Sequence, residues 1–132
     1  MPKPVDLSGL WGGMYWYPDS VVEPVSFSAW LSVIDGVLTG TTLEPNTFLL
    51  NGPEELGAKL TGSASVTRVQ FSKAYPDVEQ PPVIYSGAPS EDGNKISGSW
   101  RFRDLGYYSG GFEMTRTTAK SERMIKIPET VG

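Results

Sequence analysis

The 132-residue chain contains neither cysteine nor histidine, and these two absences exclude more chemistry than any motif in it suggests. Without cysteine there is no disulfide, no thiolate nucleophile and no thiolate-held zinc. Without histidine the commonest general base and the commonest metal or haem ligand are missing. Ser-His-Asp and Cys-His mechanisms are therefore excluded within this chain, and no cofactor is expected. No apolar run approaches the roughly 20 residues that a membrane helix requires, so no membrane partner is expected either. Met1-Pro2-Lys3-Pro4-Val5 lacks the apolar core of a signal peptide, which makes a cytoplasmic location the expectation. A net charge of -4 argues against a nucleic-acid binder, which shows a basic face.

What the chain does have is turn chemistry set between alternating segments. Fifteen glycines and eleven prolines fall between runs of period two, the pattern of many short strands in one domain. Gly9 to Tyr17 holds two tryptophans, two tyrosines and three glycines, and reads as the opening strand. From Val25 to Ile34, Val25, Phe27, Ala29, Leu31 and Val33 share one face, with Ser26, Ser28, Trp30 and Ser32 on the other. Asp35-Gly36 is a hairpin turn, and Val37 to Leu43 returns as strand three. Glu44 to Gly57 reads as a longer connection containing Pro45 and Pro53, with Phe48-Leu49-Leu50 as a short strand or a plug over one end.

The second half continues the alternation. Lys59 to Val66 places Leu60, Gly62, Ala64 and Val66 on one side, and Arg68 to Tyr75 follows after a tight turn. Pro76 to Pro82 is an acidic, proline-rich loop before the strand Val83 to Gly87. After the turn Glu91-Asp92-Gly93-Asn94, Lys95 to Phe102 alternates Ile96, Gly98, Trp100 and Phe102 against polar neighbours. Asp104-Leu105-Gly106 turns the chain into the eighth strand, Tyr108 to Arg116. Leu38-Thr39-Gly40-Thr41, Leu60-Thr61-Gly62-Ser63 and Ile96-Ser97-Gly98-Ser99 repeat one pattern, with glycine where a strand must coil. Eight strands with mostly short connections predict an all-β, antiparallel up-and-down barrel over residues 1–116, with 117–132 as a C-terminal tail. An open sandwich is the alternative.

Two further features carry a family resemblance. Gly9-Leu10-Trp11 matches the Gly-X-Trp of the first strand in the calycin superfamily, and Arg116 lies near the end of the last strand. Val37-Leu38-Thr39-Gly40-Thr41 and the late Trp100 add a similarity to the avidin-like branch. The chain thus resembles the lipocalin-like and avidin-like barrels over roughly residues 7 to 116. The resemblance implies a calycin-like barrel with a potentially hydrophobic interior, in which Arg116 packs across Trp11 and closes one end. No biotin-binding set aligns, and no particular guest is implied.

Lys73 is the most unusual polar position, because it shares the parity of Val69, Phe71 and Tyr75. Either it pairs with a rim carboxylate such as Glu113, or it faces the interior as an anchor for an anionic or carbonyl ligand. Tyr75, Tyr85, Trp100, Phe112 and Met114 fall on inward faces, where core packing competes with a pocket lining. The acids Asp19, Glu23, Glu54, Glu55, Asp77, Glu79, Glu91 and Asp92 cluster in loops as solvated charge. The leading functional expectation is a non-enzymatic barrel binding a small, largely apolar or anionic molecule. A protein-interaction module with a packed interior is the second reading, and a small barrel enzyme using Lys73, Tyr75 or a loop carboxylate the third. Trp30, beside small serines on an outer face, predicts a homodimer.

Overall fold

A computed structural model of the chain describes residues 6–19, 22–47, 52–76, 81–103 and 109–117. It contains eight strands: Gly9–Trp16 (β1), Val25–Ile34 (β2), Val37–Pro45 (β3), Glu55–Ala64 (β4), Val69–Ala74 (β5), Val83–Pro89 (β6), Lys95–Phe102 (β7) and Ser109–Arg116 (β8). Each strand pairs antiparallel with the next, and β8 pairs back onto β1, so the sheet closes as an up-and-down barrel. Closure pairs every inner strand on both sides and excludes the open sandwich.

Alternation decides which side chains fill the barrel. In β2, Val25, Phe27, Ala29 and Leu31 are buried while Trp30 and Ile34 face out. Leu38, Leu60, Val69, Phe71, Ile96, Phe112 and Met114 complete the centre of the core. The β2–β3 hairpin turns through Asp35 (φ 50°) and Gly36 (φ 78°). Positive φ at both central residues matches the right-handed twist of the flanking strands. At Gly62 and Gly98 an added Cβ would strike the carbonyl of the neighbouring strand, Gln70 O and Ser86 O respectively. The repeated glycines therefore serve close strand approach.

The two ends of the barrel differ. At one end lie the short turns at Asp35-Gly36, 65–68 and 90–94, together with the segment that enters β1. There Trp11 is fully buried and donates from its indole N–H to Leu7 O at 2.9 Å. The Arg116 guanidinium lies 4.7 Å from the centre of the Trp11 ring. It also donates to three carbonyls, Ser8 O at 2.8 Å, Asp6 O at 2.6 Å and Gly93 O at 3.2 Å. One cation thus ties the entry segment, the last strand and the β6–β7 turn together. The longer connections leave from the opposite end.

Several boundaries differ from the sequence reading. β3 continues through Glu44 and Pro45, and β4 begins at Glu55, so the pairing of Pro45 with Glu55 lies within the sheet. Val66, expected to face inward, sits in the β4–β5 turn and is exposed, because the strand ends at Ala64. The Phe48-Leu49-Leu50 plug, the Asp104-Leu105-Gly106 turn and the tail beyond Thr117 lie outside the described residues.

Candidate functional site

Beneath the end with the longer connections, three strands place polar groups inside the barrel. Lys73 on β5 and Glu44 on β3 are each 1% exposed. The Lys73 ammonium and the Glu44 Oε1 carboxylate oxygen are 2.5 Å apart. Tyr75, just past β5, donates its hydroxyl to the same Oε1 at 2.9 Å, and Tyr15 on β1 donates to Oε2 at 2.7 Å. The carboxylate thus receives three charge-assisted hydrogen bonds, the condition under which a buried charge is tolerated.

The ammonium is also surrounded by aromatic rings. Lys73 Nζ lies 4.7 Å from the ring centre of Tyr15, 5.1 Å from Phe27, 5.2 Å from Tyr75 and 5.6 Å from Tyr85. All four are within the roughly 6 Å over which a cation feels a ring quadrupole. Burial pulls the Lys73 pKa below its ordinary 10.5, and Glu44 opposes that pull. Burial likewise raises Tyr15, Tyr75 and Tyr85 well above the ordinary phenol value, helped by the negative charge of Glu44. These hydroxyls keep their protons, and those of Tyr15 and Tyr75 act as donors.

Above this network lies a recess of about 240 Å³ lined by Tyr15, Tyr17, Tyr75, Val83, Tyr85, Trp100 and Phe102. Its rings meet at steep angles: Tyr17 and Trp100 are 5.4 Å apart at 79°, and Trp100 and Phe102 5.6 Å apart at 77°. Such edge-to-face contacts fix the rings beyond what area burial alone achieves. The Trp100 indole N–H donates to Trp16 O at 3.0 Å, which sets the ring's direction. Gly110 makes room for it, since a Cβ there would press on the Trp100 indole and on Trp16 O.

Of the residues singled out from the sequence, Tyr75, Tyr85 and Trp100 line the recess, and Lys73 lies just behind its wall. Phe112 and Met114 do not line it; both are packed deeper in the core, Phe112 in edge contact with Phe71 and Tyr85. Lys73 does not reach Glu113. That carboxylate points outward from β8 and sits 3.6 Å from Lys95, each about half exposed. The residue that sequence reasoning missed is Glu44, taken for the start of a connection. Continuing the inward parity of Leu38, Gly40 and Thr42 two residues further would have placed it inside. Tyr15, Tyr17 and Phe102 were also not singled out as site residues.

Comparison with protein-family models finds no match to this chain, and comparison with curated proteins finds none.

Proposed function

We propose that the protein is a non-enzymatic, calycin-like barrel that holds a small, largely apolar molecule in the recess. The observation that carries this reading is the recess itself: six aromatic side chains and one valine around about 240 Å³, above an ion pair whose charges are already matched. Ligand sites are concave and mostly apolar, with few polar groups. The expectation of an anionic guest rested on a lysine without an internal counter-charge. Glu44 supplies that charge, so the proposal keeps the apolar guest alone. Catalysis is disfavoured by the same chemistry: the ammonium is held by a carboxylate, and the nearby phenols retain their protons.

A second reading, self-association, draws on the outer wall. The outward positions of β1, β2 and β3 carry no charged side chain. They include Trp30, Ile34, Val37 and Leu43, all exposed, separated by serines and threonines. An uncharged face meets its own copy without like-charge repulsion, which suits an isologous dimer.

Native mass spectrometry of freshly purified protein tests both. The expected spectrum shows a dimer carrying extra mass that is lost on denaturation, and Trp30→Glu releases monomers. A bare chain of 14.4 kDa that also fails to retain added naphthalene contradicts the carrier reading. A monomer at micromolar concentration contradicts the dimer.

A further inference from the structure

Among the described residues the Tyr85 hydroxyl at the recess makes no hydrogen bond within the protein, and this narrows the class of guest. This inference rests on the carrier reading above and deepens it. Tyr85 is 3% exposed, its ring stacks on Phe71 at 5.1 Å, and it lines the recess. Among the described residues its hydroxyl makes no hydrogen bond. Nor is it enclosed in the wall, as the unpartnered Thr42 Oγ1 is. A nearly buried phenol O–H facing an apolar recess is a donor awaiting an acceptor, because leaving it unmet is costly.

Three other polar groups of the site are engaged. Tyr15 and Tyr75 donate to Glu44, and the Trp100 N–H donates to Trp16 O. Among the described residues, none that lines the recess carries a charge. An anion entering it would meet ring faces, which carry negative quadrupole charge, and an ammonium already neutralised by a carboxylate. A cation would find the rings of Tyr15, Tyr75 and Tyr85 already facing the ammonium of Lys73 from behind. Either charge would be buried without a counter-ion, at a large desolvation cost.

Shape gives the rest. Perpendicular rings leave slots in which a further flat ring continues the edge-to-face arrangement. Benzene fills a protein cavity of about 150 Å³, so about 240 Å³ accommodates a substituted single ring or a fused pair. We propose that the recess takes an uncharged, flat aromatic molecule of one or two rings, bearing an acceptor atom that receives the Tyr85 O–H, and that it rejects anions and cations of the same shape.

Calorimetric titration at neutral pH with four probes of matched shape tests this: naphthalene, quinoline, N-methylquinolinium and 2-naphthoate. The expected result is that quinoline binds roughly three- to tenfold more tightly than naphthalene, the size of one net hydrogen bond. Both charged probes bind at least about tenfold more weakly than naphthalene, as an unpaired buried charge requires. Tyr85→Phe removes the quinoline preference and leaves naphthalene binding in place, which shows that the variant is folded and the recess intact. Binding of 2-naphthoate or N-methylquinolinium as tight as naphthalene overturns the inference while the carrier reading stands. A quinoline preference that survives in Tyr85→Phe does the same. Binding of none of the four probes overturns the carrier reading and the inference with it. Val83→Trp, which fills the recess, is expected to abolish every titration; binding that persists in it contradicts the site.

Discussion

Glu44 and Lys73 are coupled so closely that neither has an energy of its own. Removing one leaves the other charged and buried, a loss of roughly 3–5 kcal/mol. Lys73→Met is therefore expected to destabilise the barrel by about that amount. Adding Glu44→Gln removes the stranded charge yet keeps an acceptor for Tyr15, and the double variant is expected to recover most of the loss. Denaturant unfolding of the wild type, both single variants and the double variant measures the coupling. Additive losses in this cycle would show that the two side chains act independently. The buried phenols add a pH dependence. Folding raises Tyr15, Tyr75 and Tyr85 above the ordinary value of 10.0. Above about pH 10 the unfolded chain releases protons that the folded barrel retains, so stability is full below that pH and falls above it. The limiting slope is ~1.4 kcal/mol per pH unit per group, or ~4 for three. Lys73 runs the other way: its folded value lies below 10.5, so its contribution improves as pH rises toward 10.5. One group acting below that pH does not offset three phenols acting above it. Thermal melts combined with phenolate absorbance are expected to show Tyr15, Tyr75 and Tyr85 ionising only with unfolding.

At the scale of elements, legibility followed hydrophobic periodicity. β2 and β7 alternate cleanly from Val25 and from Lys95, and their ends agree with the sequence reading. Asp35-Gly36 was equally plain, because few residue pairs accept positive φ twice in succession. The end of β3 was not legible. A glutamate followed by proline has the composition of a turn, and the lysine that justifies Glu44 inside the barrel lies 29 residues away. Parity flagged Lys73 as an inward charge, but only the curvature that brings β3 across from β5 shows which acid answers it. The pair at the other end, Trp11 and Arg116, was within reach through the family resemblance and sits directly opposite in the β1–β8 register. Arg116→Ala removes the ring contact and three carbonyl partners at once. A loss of about 2 kcal/mol is expected, with the fold retained, and thermal unfolding checks it. An unchanged melting temperature would mean that the cation does not hold the end closed.

The whole molecule is a barrel with unlike ends. One end is tied by short turns, Trp11 and Arg116, and the other opens onto an aromatic recess floored by a neutralised ion pair. Hydrophobic alternation specifies the wall, but the recess is assembled from β1, β5, β6 and β7 and the residues flanking them, and no local pattern marks it. Trp100 and Trp30 separate its two proposed surfaces, one lining the recess and the other on the outer wall. The side-chain indole resonances of a nitrogen-labelled sample therefore test the central claim most directly. On titration with naphthalene, the Trp100 indole signal is expected to shift and saturate while those of Trp30 and Trp11 hold still. A Trp100 signal that does not move, or one that moves only alongside Trp30, would contradict the claim that this barrel carries its guest inside.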